Sequence, residues 1–379
     1  MALIDTKRFY DALVSSGLDF FAGVPDSLLK NLCACITESA APGRNIITAN
    51  EGNAVGMACG YHIATGKYGV VYLQNSGQGN LVNPLLSIAD PDVYSVPMLL
   101  IVGWRGEPGV HDEPQHVKQG KVTCDLFDAM GVPYQVLDET WEDQLSWALD
   151  VLGQNRPVTL VVRKGTFSGY DLVVDKGEAP LSREDALKVV LDGIAADEFV
   201  VSTTGKTSRE VFEIRESRNQ GHDRDFLTVG GMGHTSSIAF GMALGCDQNV
   251  WCIDGDGSFL MHMGAFPVIA QNAPDNFKYI LNNNGAHESV GGQPTVAQRI
   301  DVPGVLRSSG FERVIEASTS EEVSAGMRAL RESPRSALVI TTHQGSRSDL
   351  GRPTVSPIDN KAAMMKRFES SAAEDLQGL

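Results

Sequence analysis

The stretch Val250-Trp251-Cys252-Ile253-Asp254-Gly255-Asp256-Gly257-Ser258 decides how this chain folds. Four apolar residues form a short run of the kind that is buried as a strand, and alternating Asp and Gly then make a tight turn. A second apolar run, Tyr279 to Leu281, leads into Asn282-Asn283-Asn284-Gly285. Neighbouring strand ends in one parallel sheet place their following loops side by side. A carboxylate from one loop and an amide oxygen from the other, 27 positions apart at Asp256 and Asn283, can therefore share a ligand. Hard oxygen donors of this kind suit Mg²⁺, which completes its octahedral shell with water and phosphate oxygens. The glycines let backbone amides approach a phosphate, and a helix start adds a favourable dipole.

Spacing tests the competing motifs. An EF-hand loop beginning at Asp254 requires Glu at position 265, where Ala265 stands. A dinucleotide fingerprint at Gly231-Met232-Gly233 requires Gly at 236, which is Ser236. Thr204-Gly205-Lys206-Thr207 imitates the end of a Walker A loop, but the first Gly of that motif falls on Val200. The remaining alternative is a plain tight turn, which leaves the asparagines unexplained.

Outward from this stretch, Val70 to Leu73, Met98 to Val102 and Phe199 to Val201 are further short apolar runs separated by helix-length segments. Apolar strands alternating with helices indicate parallel sheets covered on both faces. Two distant segments share one pattern. Leu126 to Gly165 contains Gly131, Val136-Leu137, an acidic amphipathic helix from Trp141 to Leu152, Pro157 and an apolar strand. Leu306 to Gly345 repeats it with Gly310, Val314-Ile315, a helix from about Glu321 to Leu330, Pro334 and another apolar strand. This predicts an α/β chain of two doubly wound parallel-sheet domains, residues 1–170 and 184–356. A polar linker at 171–183 ends in the helix start Ser182-x-x-Asp185, and a surface helix is expected at 357–379.

With 379 residues, 42% of them hydrophobic, the chain can bury two ordinary cores. A formal net charge of −16 repels nucleic acid and anionic membranes, and no basic stripe compensates for it. The six cysteines, Cys33, Cys35, Cys59, Cys124, Cys246 and Cys252, include no CxxC pair and are expected to be reduced core residues in helices or strands. No signal-like or membrane-spanning run is present, so a cytoplasmic protein is expected.

The Asp-Gly-Asp-Gly-Ser and Asn-Asn pair resembles the cofactor motif of the thiamine-diphosphate-dependent decarboxylases. The resemblance implies Mg²⁺ held by Asp256, Asn283 and the carbonyl of Gly285. It also implies thiamine diphosphate held by Gly255, Gly257 and Ser258, with Gly230, Gly231 and Met232 beside it, Met232 bending the cofactor. The first half resembles the pyrimidine domain of that family. Glu51, in Asn50-Glu51-Gly52-Asn53-Ala54, matches the glutamate that bonds the aminopyrimidine, and Ser76, Gly77 and Gln78 match the turn beside it. Taken alone, Glu51 is an ordinary acid at a helix start, and Met232 an ordinary core residue. A nucleophile elbow at Ser76 fails because position 74 is Gln74.

Longer strings resemble the phosphonopyruvate decarboxylases: Gly23-Val24-Pro25-Asp26-Ser27, Leu260-Met261-His262-Met263-Gly264 and His287 through Thr295. The implied reaction turns 3-phosphonopyruvate into phosphonoacetaldehyde and CO2 through a thiamine-diphosphate ylide and enamine, a step of phosphonate biosynthesis. Loss of CO2 leaves a carbanion that no side chain stabilises, so a cofactor must be the electron sink. Proton delivery is expected from among Asp26, His111, His116 and His287, with Glu288 nearby, each of which is otherwise a surface or supporting residue. The small anionic 2-oxo acid needs cations, for which Arg105, Lys118 and Lys206 are candidates, with Arg347 and Arg352 behind them. Sulfopyruvate is the alternative substrate, and a carboligase or a silent scaffold are further alternatives. The resemblance implies a homodimer or homotetramer with the cofactor at the subunit interface.

Overall fold

The computed structural model describes residues 3–173 and 177–377. It divides into two compact units, Met1–Val174 with His287–Gln293, and Asp175–Ala286 with Pro294–Leu379.

In the first unit, β1 (Phe20–Gly23), β2 (Asn45–Ile47), β3 (Gly69–Gln74), β4 (Met98–Gly103), β5 (Tyr134–Val136) and β6 (Val158–Val162) form a parallel sheet in the order β2-β1-β3-β4-β6-β5. Side chains alternate across a strand, and here both faces are dry. Val70, Tyr72, Leu99, Ile101 and Leu160 enter one core, while Val71, Leu73, Met98, Leu100 and Val161 enter the other. Such continuous apolar strands fold only where helices cover both sides, each fully buried aliphatic side chain contributing about 1.5–3 kcal/mol.

The second unit contains β7 (Phe199–Ser202), β8 (Asp225–Leu227), β9 (Val250–Gly255) and β10 (Phe277–Asn283). Next in the chain is a two-residue ribbon, β11 (Ala286–His287) with β12 (Gln293–Pro294), whose His287 and Gln293 are counted in the first unit, and β13 (Arg313–Ala317) and β14 (Ser336–Thr341) complete the second. The six-stranded sheet runs β13-β14-β10-β9-β7-β8. Counted from its own first strand, each large sheet has the order 2-1-3-4-6-5. The two repeated sequence segments are the fifth strand, helix and sixth strand of each sheet: β5, Trp141–Leu152 and β6, then β13, Ser320–Arg331 and β14. Thr319 opens the latter helix with a full capping box.

Three local expectations need correction. First, β9 and β10 continue past their apolar runs to Gly255 and Asn283, because parallel pairing of Leu281 with Asp254 and Asn282 with Gly255 keeps the backbone extended. Second, Cys246 lies in a loop, and Cys124 and Cys246 are only half-buried; Cys33, Cys35, Cys59 and Cys252 are buried, and all six are free thiols. Third, the C-terminal helix Pro357–Gln377 is docked at its start and does not simply lie on the surface. Asn360 bonds the backbone of Asp225 and Leu227, Met364 enters the core, and Phe368 stacks on Phe199 at 4.0 Å.

Within the expected linker, Ser182 caps the helix Arg183–Asp192, while residues 174–176 lie outside those described. Residues 378–379 of the expected tail also lie outside them. Among the described residues no helix is long and apolar enough to cross a membrane.

Candidate active site

In a doubly wound sheet, ligands bind beyond the carboxyl ends of the strands, where the strand order reverses. In the first unit the reversal lies between β1 and β3. Three strand ends supply the loops there: Val24–Ser27 after β1, Asn75–Gly77 after β3 and Trp104–Gly106 after β4.

Glu51 opens the helix Glu51–Thr65, which Asn50 caps by accepting the amide of Asn53. Its side chain is buried, and Asn80 donates to Oε2 at 2.7 Å. Burial raises its proton affinity against the pull of the Asn80 bond. Gly77 presses on the other carboxylate oxygen, Oε1. Gln78 is buried and donates to the carbonyl of Thr123, and Ser76 is exposed, accepting from Gln74.

Asp26 is fully buried, and its Oδ2 has no hydrogen-bond partner. Desolvation lifts the carboxyl to about 6, while the Leu28 amide and the charge of Arg105 restrain it. Arg105 donates to Asp112 through Nε at 2.7 Å and through Nη2, and to Ser27 through Nη1 at 2.8 Å. The guanidinium fork is thus occupied within the protein, and a bidentate grip on a substrate oxyanion would have to open that pair. His116 is buried with Nδ1 unpartnered, and desolvation lowers its pKa. His111 and Lys118 are exposed. His287 is half-buried, and desolvation drops its ring to about 4, so it is neutral near pH 7.

In the second unit the strand order reverses between β7 and β9. Asp256, the first residue after β9, is buried, and burial raises it to about 6. Thr295 donates its hydroxyl to Asp256 Oδ2 at 2.5 Å and its amide to the Gly285 carbonyl at 2.8 Å, so one residue ties both loops together. Asn283, at the end of β10, accepts the Gly285 amide on Oδ1 and donates Nδ2 to the Ala297 carbonyl. Gly285 has φ +69, and an added Cβ would meet the Gln298 side chain at 2.7 Å. Ser258 accepts the Gly233 amide, which anchors the loop carrying Gly230, Gly231 and Met232. Met232 is half-buried and belongs to none of the apolar core clusters of the described residues, so simple core packing does not account for it. Lys206 donates to Ser346, and Arg347 is paired with Glu184 and Glu213.

The chain matches the model described as "Thiamine pyrophosphate enzyme, N-terminal TPP binding domain" over residues 6–129. It also matches "Thiamine pyrophosphate enzyme, C-terminal TPP binding domain" over residues 203–341. It is 32% identical to a phosphonopyruvate decarboxylase of Streptomyces hygroscopicus, over 98% of this chain and 95% of that one. The same-named protein of Streptomyces viridochromogenes is 31% identical, over 97% and 95%. A sulfopyruvate decarboxylase of Methanosarcina acetivorans is 27% identical, over 86% and 87%. This chain belongs to the phosphonopyruvate decarboxylase family of thiamine pyrophosphate enzymes.

A member of this decarboxylase family binds thiamine diphosphate, and the residues present fit that group and its metal. Burying a carboxylate is costly, and at Asp256 the charge of Arg183, itself paired with Glu210, offsets only part of that cost. With the Asn283 amide and the Gly285 carbonyl it makes an all-oxygen donor set that suits Mg²⁺. Sequence reasoning missed three supporting residues. Thr295 was quoted within a motif without a role. Asn80 supports Glu51 from a neighbouring helix, and Asn75 donates to both the Arg105 carbonyl and Thr123.

Proposed function

We propose that this chain decarboxylates 3-phosphonopyruvate to phosphonoacetaldehyde and CO2, using thiamine diphosphate anchored by Mg²⁺. The observation that carries the reading is the joining of the Asp256 and Gly285 loops by Thr295, in a chain alignable along nearly its whole length with phosphonopyruvate decarboxylases. When bound, thiamine diphosphate supplies the electron sink for the carbanion left by CO2.

The chain's own residues then have defined tasks. Asp256, Asn283 and the Gly285 carbonyl hold the metal, and the loops at Gly230–Met232 and Gly255–Ser258 seat the diphosphate. Glu51 holds a proton at the aminopyrimidine, a role its burial favours. Asp26, whose carboxyl stays protonated to about pH 6, donates a proton to the product carbon. Desolvation lowers the proton affinity of His116 and His287, and we assign them as neutral hydrogen-bonding groups. Lys206 is the cation proposed for the phosphonate.

We assign the pyrimidine end to residues 1–170 and the diphosphate end to residues 184–356. A homodimer or homotetramer acting in the cytoplasm is the proposed working form, supported by the family resemblance. Competing turnover of phosphonopyruvate and sulfopyruvate tests the substrate. Faster release of CO2 from phosphonopyruvate is expected, and faster release from sulfopyruvate would overturn the assignment.

A further inference from the structure

We propose that Arg105, braced by Asp112, is the positioning residue of Asp26, fixing the Pro25–Ser27 turn and the electrostatic setting in which that carboxyl works. The inference rests on the reading of Asp26 as the proton donor.

Several contacts converge on this role. Asp112 accepts four donors: Nε and Nη2 of Arg105, and the backbone amides of Gly106 and Glu113, both at 2.8 Å. A carboxylate held in this way cannot swing, so it fixes the plane of the guanidinium. Nη1 of Arg105 then reaches Ser27 Oγ, and that hydroxyl lies 3.5 Å from Asp26 Oδ1. The Arg105 backbone is fixed as well, since Asn75 accepts its amide and donates to its carbonyl. Loops from β1, β3 and β4 are therefore locked into one arrangement around a single carboxyl. Gly103 shows how close the packing is, because an added Cβ would lie 1.8 Å from Asp26 Oδ2.

A salt bridge that only closed the loop after β4 would have no need of the third contact, from Nη1 to the neighbour of a buried acid. Among the described residues, few titratable or charged groups face Asp26 or act on its partner. Cys33 comes from the helix Lys30–Ser39 and Arg105 from the loop after β4. Asp112, Glu113 and His116 interact with Arg105. Asp112 offsets part of the Arg105 charge, so the two residues push Asp26 in opposite directions. Arg105 favours the anion, and Asp112 weakens that effect.

The test is the pH profile of kcat on phosphonopyruvate for the full chain with thiamine diphosphate and Mg²⁺. Asp26→Asn, Arg105→Met, Asp112→Asn and Ser27→Ala are compared, and cofactor binding reports folding. Asp26 must be protonated to donate, so activity falls on the alkaline side. Arg105→Met should move that limb up and Asp112→Asn should move it down, each by roughly 1 pH unit. Ser27→Ala should lower kcat with KM unchanged. If Asp112→Asn fails to fold, Arg105→Lys carries the test, keeping the limb in place while losing about tenfold in kcat.

An inactive Asp26→Asn together with unmoved limbs in the other variants would overturn the positioning role alone. A rise in KM with unchanged kcat would do the same and make Arg105 a substrate ligand. Undiminished turnover in Asp26→Asn would remove the donor itself, and the proposal with it.

Discussion

The carboxylate of Glu51 lies against Gly77 so closely that a Cβ added there would fall 2.0 Å from Oε1. No side chain fits at position 77 unless Glu51 moves. The glycine of the turn after β3 therefore sets the place of the acid at the start of the helix Glu51–Thr65. Gly77→Ala should displace the carboxylate by about an ångström and lower kcat by roughly 10²-fold, as misplaced catalytic groups do. Steady-state CO2 release, with cofactor affinity measured in parallel, checks it.

Glu51→Gln keeps the shape of the side chain and its bond with Asn80 but cannot hold and return a proton. Release of CO2 should fall by 10²-fold or more, the range roughly expected for a general acid–base group. Binding of thiamine diphosphate should persist. Loss of both together would assign Glu51 a structural role.

Asp26 links activity to stability through a defined sign. Its folded pKa of about 6 stands above the ordinary carboxylate value of 3.8, so the unfolded chain gives up its proton first as pH rises. Stability from this group is present below pH 4 and is lost between about pH 4 and 6, by up to about 3 kcal/mol. Asp26→Asn should therefore raise Tm at pH 8 more than at pH 4.5, while abolishing turnover. Thermal unfolding at the two pH values checks it.

Thr295 gives a prediction about the metal. Removing its hydroxyl in Thr295→Val frees Asp256 to reorient, and loss of such a supporting contact costs roughly 10- to 100-fold in metal affinity. Thr295→Ser should restore most of it. Titration of Mg²⁺ dependence separates the two variants.

At the C-terminus, Met364 is buried in the core of the second unit. Met364→Ala should destabilise the chain by about 2–3 kcal/mol. Urea unfolding measures the loss, and turnover per folded molecule should be unchanged.

The placing of Asp256 and Asn283 at the ends of adjacent strands was legible in the sequence because that pattern is local. Each follows a strand directly, and an oxygen donor beside glycine carries its own meaning. The duplicated sheet was legible for a similar reason, since helix and strand periodicities recur between Gly131 and Gly165 and between Gly310 and Gly345. Thr295 and the Arg105–Asp112–Ser27 chain were not legible as supports, because their partners are chosen by tertiary packing and not by local pattern. Arg105 in particular reads as a cation awaiting an anion until Asp112 is seen across it. The C-terminal helix was legible, but its docking was not, because its anchors, Asn360, Met364 and Phe368, are spread among charged residues at helical spacing, which dilutes the apolar signal.

Calorimetric titration of thiamine diphosphate into the full chain, with and without Mg²⁺ and with Asp256→Ala as comparison, tests the central claim most directly. Tight binding should require the metal and should be lost in the variant. Equal binding without any divalent ion, or no binding at saturating Mg²⁺, would contradict the account.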